Sequence, residues 1–132
     1  MIDIESEVYM RVNNALRVNY PDIVVTTEYT GSPPAFPFVS LVENDNAVLQ
    51  RMRTDNVENA ATVMYEVNVY TNTPNKKLDA KDIMSVVDGV LSGLGFTRTI
   101  CSPISNLQDA TIYRIVARYE AVVDKDLWLY QN

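Results

Sequence analysis

Residues 61–71 constrain the fold more than any other stretch. Ala61, Val63, Tyr65, Val67 and Val69 alternate with Thr62, Met64, Glu66, Asn68 and Tyr70. Alternation with period two puts the first set on one face of a strand, against a core, and the second on a mixed opposite face. Residues 110–123 repeat the pattern: Tyr113, Ile115, Ala117, Tyr119, Ala121 and Val123 are opposed by Arg114, Arg118 and Glu120. Two long strands, each apolar on one side, need a second layer to cover that side.

Two helical segments can supply it. Over residues 3–19, Ile4, Val8, Val12, Ala15 and Leu16 recur at steps of three and four, with Glu5 and Glu7 in the first turns and Pro21 barring continuation. Over 79–94, Ile83, Val86, Val87, Val90, Leu91 and Leu94 form one stripe. Asp79 is the expected N-cap, Asp82 adds favourable charge to the first turn, and Gly93 and Gly95 mark the end.

The remaining segments read as strands and links. Residues 23–29, 38–42 and 96–101 are short strands, the first and second separated by a stiff stretch holding Pro33, Pro34 and Pro37. Residues 43–59 are polar and read as a protruding hairpin arm with its tip at 55–59, or as a disordered loop. The order α-β-β-(arm)-β-α-β-β predicts an α+β fold: a mostly antiparallel sheet with two helices packed on one face. At 132 residues we expect one domain over 1–125, with the arm at about 44–60 and a C-terminal contact tail at 126–132.

Composition narrows the chemistry. The chain contains no histidine, which removes the commonest general base, nucleophile activator and metal ligand, so Ser-His-Asp, Cys-His and Cys/His zinc sites are excluded. Its four glycines make no phosphate loop. Glu43-Asn44-Asp45-Asn46 lacks the spacing of a calcium loop. We expect no catalytic residue, no metal and no cofactor. Cys101 is the single cysteine and is expected to be a small buried hydrophobe. The net charge of −6 argues against general affinity for nucleic acid. No run of about 20 apolar residues is present, and the acidic start Met1-Ile2-Asp3-Ile4-Glu5 does not read as a secretion signal.

What is left concerns surfaces. Arg114 and Arg118 share a strand face and are expected near Arg98 on a neighbouring strand, forming either an exposed polar sheet face or a charged face turned to a subunit or channel. Met64 and Tyr70 on the mixed face, Arg51 and Arg53 in the arm, and Trp128 and Tyr130 in the tail are candidate contacts with a subunit or partner.

The segments Tyr65-Glu66-Val67-Asn68-Val69-Tyr70, Leu94-Gly95-Phe96-Thr97-Arg98 and Ile112-Tyr113-Arg114-Ile115-Val116-Ala117-Arg118-Tyr119 together resemble small neck and tail proteins of long-tailed bacteriophages and phage-like particles. The nearest group is the tail terminator, or tail-completion, proteins, often labelled minor capsid proteins. The resemblance spans about residues 1–125. It implies a hexameric ring at the head-proximal end of the tail tube, assembled in the host cytoplasm and carried in the virion. Such a ring ends tube polymerisation and joins the tail to the head connector. The implied partners are the chain itself, the tail tube protein, the connector protein and, in a contractile tail, the sheath. DNA passes through without specific binding, no membrane takes part, and no catalytic residue comes with the group. Another neck protein, such as a head-completion stopper, and a cytosolic module that clamps a peptide at a sheet edge are the competing readings.

Overall fold

The computed structural model describes residues 3–30, 32–48, 60–104 and 109–124. The element order is α1 (Glu5–Arg17), β1 (Val24–Thr26), β2 (Phe38–Val48), β3 (Ala60–Thr71), α2 (Lys76–Leu94), β4 (Thr97–Ile104) and β5 (Tyr113–Asp124). The strands form one sheet in the order β1-β2-β3-β5-β4. The α+β expectation holds, with one refinement. β1 runs parallel to β2 over three residue pairs, whereas every other neighbouring pair is antiparallel.

The alternation in β3 and β5 fixes which face the helices cover. The two strands pair over their full twelve residues, placing Tyr65 opposite Tyr119, Val67 opposite Ala117 and Val69 opposite Ile115. With Val39 and Leu41 of β2 these residues are buried under the helices. Val8, Val12 and Leu16 supply the apolar stripe of α1, and Ala80, Ile83, Met84, Val87 and Leu91 that of α2. These residues belong to one cluster, to which Phe96 contributes an edge-on contact with the Tyr65 ring at 5.7 Å. α1 packs beside β1 and against α2, while α2 spans β3, β5 and the start of β4.

Several boundaries differ from the sequence reading. β2 continues to Val48 and pairs with β3 down to Ala61. The base of the expected arm is therefore a regular hairpin stem, while its tip lies outside the described residues. α2 starts at Lys76, three residues before the expected N-cap. Asn75 occupies the cap position without a capping side-chain bond. Asp79 instead lies in the first turn and accepts a 2.7 Å hydrogen bond from Thr73 Oγ1. β4 runs through Pro103, which an edge strand tolerates because one side of its backbone needs no donor.

α2 ends where glycine makes ending cheap. Gly95 has φ of 104°, a left-handed conformation, and its N–H and that of Phe96 return to the carbonyls of Ser92 and Leu91. An L side chain with a Cβ strains this region. Gly95→Ala is expected to lower stability by about 1–2 kcal/mol. Urea denaturation, with an unchanged m-value showing an intact core, checks it.

Candidate functional site

The face of the sheet opposite the helices carries no second layer of secondary structure among the described residues. Register builds it in rows across β2, β3, β5 and β4. The first row is Phe38, Tyr70, Arg114 and Ile104; the second is Ser40, Asn68, Val116 and Ser102; the third is Val42, Glu66, Arg118 and Ile100. Apolar residues lie at both ends of the first and third rows, and two arginines lie between them.

In the first two rows the β2 and β3 members, Phe38, Tyr70, Ser40 and Asn68, are buried despite facing away from the core. Tyr70 is 3% exposed. Its ring meets Phe38 edge-on at 6.0 Å, the Arg114 guanidinium carbon lies 5.4 Å from its centroid, and its hydroxyl reaches the Thr30 carbonyl at 3.5 Å. Burial raises the Tyr70 hydroxyl pKa, with the nearby Arg114 charge opposing the rise. Arg114 donates from Nε and from a terminal nitrogen to Asn68 Oδ1, at 2.9 and 2.7 Å. Asn68 is fully buried, and its side-chain nitrogen has no partner among the described residues. A half-buried arginine thus spends two of its donors on a neutral amide, with its charge lying over the Tyr70 ring.

Three of the expected assignments change here. Arg114 and Arg118 do share the outer face, but Arg98 does not join them. A register shift between Arg98 and Ile100 inserts an extra residue, so Arg98 pairs with Tyr119 and points to the helix side. There it donates to Asp88 of α2 at 3.2 Å. Tyr70 was expected at a contact surface; the β1–β2 link, Phe38 and Arg114 cover it, so it packs and holds Arg114 instead. Met64 stays on the outer face, half-buried, opposite Glu120. Cys101 is exposed, contrary to expectation, because β4 is an edge strand beyond the reach of most of α2. Arg51, Arg53, Trp128 and Tyr130 lie outside the described residues.

Asp88 was not singled out by sequence. It accepts from Arg98 and, at 2.8 Å, from the hydroxyl of fully buried Tyr119, whose pKa is raised by burial and then by this bond. A second such link joins Tyr20 to Asp82 at 2.6 Å, pushing the Tyr20 hydroxyl up to about 12. Periodicity gives no hint of it, because Asp88 falls between the stripe residues Val87 and Val90 like any off-face position.

The acidic end of the sheet lies on the opposite edge. β1 covers β2 only along Phe38, Val39 and Ser40. Beyond it, Glu43 and Asp45 flank a register shift. Partial burial raises the Glu43 pKa, the hydrogen bond from Asn46 opposes that, and Asp3 and Glu5 at the start of α1 add to the rise. A notch lined by Glu5, Ser6, Tyr9, Val25, Thr26 and Thr27 opens beside the end of β1. Among the described residues no group of three or more His, Cys, Asp or Glu side chains could hold a metal, and no helix is long and apolar enough to cross a membrane.

The sequence matches no family model and no curated protein. Solved structures do match in shape. The fold is similar to that of a chain in the virion of a native gene transfer agent particle, with a TM-score of 0.65 at 18% identity over 94% of this chain and 99% of that one. A weaker likeness, with a TM-score of 0.41 at 17% identity, covers 89% of this chain and 91% of bacteriophage SPP1 gp17 protein. At these identities the first likeness establishes a shared fold.

Two predictions follow from the ionisable groups. Asp88→Ala leaves the buried Tyr119 hydroxyl without its acceptor and is expected to cost about 1–3 kcal/mol. Arg98→Ala removes only a half-exposed ion pair and is expected to cost under about 1 kcal/mol. Paired denaturation curves check the difference.

The raised pKa of Glu43 means that the native state holds this proton more tightly than the unfolded chain. Its contribution to stability is complete below the unfolded value of 4.5 and is lost as pH rises through the higher native value. Glu43→Gln is expected to remove that slope and to raise stability at pH 7 by about 0.5 kcal/mol or less, after allowing for solvent screening. Thermal melts at pH 4 and pH 7 read both effects.

Proposed function

We propose that this chain is a structural, non-catalytic component of a phage-like particle. In this reading it forms a ring at the head-proximal end of the tail, ends growth of the tail tube and joins the tail to the head connector. The observation carrying the reading is the end-to-end shared fold with a chain of a gene transfer agent virion. The resemblance of the β3, α2-end and β5 segments to tail terminator proteins points the same way. The exposed Arg118 and open sheet edges supply surfaces that an assembly can use.

The sizes are compatible with a ring. A stable contact buries roughly 800 Å² on each partner. A ring subunit makes two such contacts, which take about a fifth of the 7546 Å² surface of the chain. Head-to-tail contacts that close by rotation produce rings without any twofold partner. The net charge of −6 suits a passage through which DNA slides without being held.

Size-exclusion chromatography with light scattering, run alone and with isolated tail tubes, tests the proposal. The expected outcome is a species six times the 14.9 kDa chain mass, or recruitment of the chain to tube ends seen by electron microscopy. A chain that stays single and leaves tube ends bare overturns it.

A further inference from the structure

We infer that the two open edges of the sheet are each other's partners: the β4 edge of one copy docks on the uncovered half of β2 in the next copy. The inference rests on the assembly reading above and deepens it by naming the surfaces that meet.

The first observation is that both edges are open among the described residues. β4 ends the sheet, and seven of its eight residues are exposed. At the other end β1 is only three residues long, so β2 from residue 41 to 48 has no neighbour on that side. Exposed edges left unguarded recruit other strands, and native sheets defend them with charges, bulges or prolines. Here each edge carries a bulge, and β4 also has Pro103, so the open stretches are short. Residues 100–102 lie between bulge and proline. Three residues are also what β1 uses to pair with β2, so a junction of that length has a precedent within the chain.

The second observation is that the edges differ in charge. β4 contains one arginine, Arg98, which is paired with Asp88, and no acid; Arg118 of β5 lies one strand in, 51% exposed and only loosely paired with Glu66 at 3.7 Å. The β2 edge presents Glu43 on the helix side, with Asp3 and Glu5 nearby, and Asp45 on the outer side. No described cation is ion-paired with Glu43 or Asp45. β2 against β2 brings carboxylates together, whereas β4 against β4 leaves the two Arg118 residues of β5 three strand spacings, about 14 Å, apart. The unlike pairing brings Asp45 of one copy within two strand spacings, about 10 Å, of Arg118 of the other, close enough for the long arginine side chain to lean toward it, and leaves Ile100 and Cys101 at the uncharged centre. Such complementarity favours the head-to-tail arrangement over a β2–β2 twofold one.

Asn44→Cys tests the geometry, because Asn44 is the exposed bulge residue of β2 and Cys101 is the chain's own exposed thiol on β4. Within one copy the two edges are three strand spacings apart, about 14 Å, which is too far for a disulfide. Under mild oxidation of the assembled protein, Asn44→Cys is expected to give a reducible ladder of linked chains while wild type stays at one chain mass. In parallel, Asp45→Arg is expected to weaken assembly tenfold or more, and Arg118→Glu added to it to restore most of that loss. Assembly without a ladder and without charge-swap rescue overturns the edge pairing and leaves the ring reading standing. Wild-type dimers linked through Cys101 overturn it in favour of a twofold β4 contact. A chain that stays single under every condition, with no ladder, overturns both.

Discussion

The twelve-residue pairing of β3 with β5 is the constraint on which the rest of the structure depends. It fixes, residue by residue, which side chains face the helices and which do not. A slip of one position would turn either Tyr65 and Val67 or Tyr119 and Ala117 away from α1 and α2 and bring Glu66 or Arg118 into the core. The apolar cost of that exchange is several fully buried side chains at about 1.5–3 kcal/mol each, more than any local propensity can offset. Both flanking strands then inherit their register from this pair, and so does the composition of the outer face.

Polar groups do a different task at the margins of that core. Asp88 ties α2 to the β5 hydroxyl of Tyr119 and to Arg98 of β4, and Asp82 ties the same helix to Tyr20 just after α1. Hydrogen bonds of this kind contribute about 1 kcal/mol net, little beside the apolar contacts. Their directionality matters more: each has one geometry in which helix, strand and loop agree. On the outer face Asn68 and Arg114 do the same across β3 and β5, at the expense of one unsatisfied amide donor.

Much of this was legible in the sequence, and the misses have physical causes. The long strands and both helices follow from periodicity, because burial repeats along them with a fixed period. The parallel placement of β1 was not legible. Three paired residues leave too short a pattern to orient, and the return path through Pro33, Pro34 and Pro37 carries no directional signal. Arg98 was assigned to the wrong face because simple alternation assumes an unbroken register, and one extra residue near Thr99 reverses it. Tyr70 is expected at a contact surface because its face lacks a helix, although a loop, a phenyl ring and an arginine cover it as completely as a helix does. Asn68, one of the polar residues of the outward set, carries no mark in the sequence of the place where Arg114 is held.

These departures share a consequence for charge. An acidic chain of net charge −6 repels its copies at long range, yet at physiological salt that repulsion is screened beyond about 8 Å. At contact distance the local arrangement decides. With Arg98 folded back onto Asp88, Arg118 is left to meet solvent at the β4 end, and Arg114 keeps its charge by bonding to an amide. The carboxylates of Glu43, Asp3 and Glu5 gather on the helix side of the β2 end, with Asp45 on the outer side. In the proposed edge pairing the acidic β2 end meets the end of the sheet nearest exposed Arg118, so the local charges favour an orientation that the net charge alone would oppose.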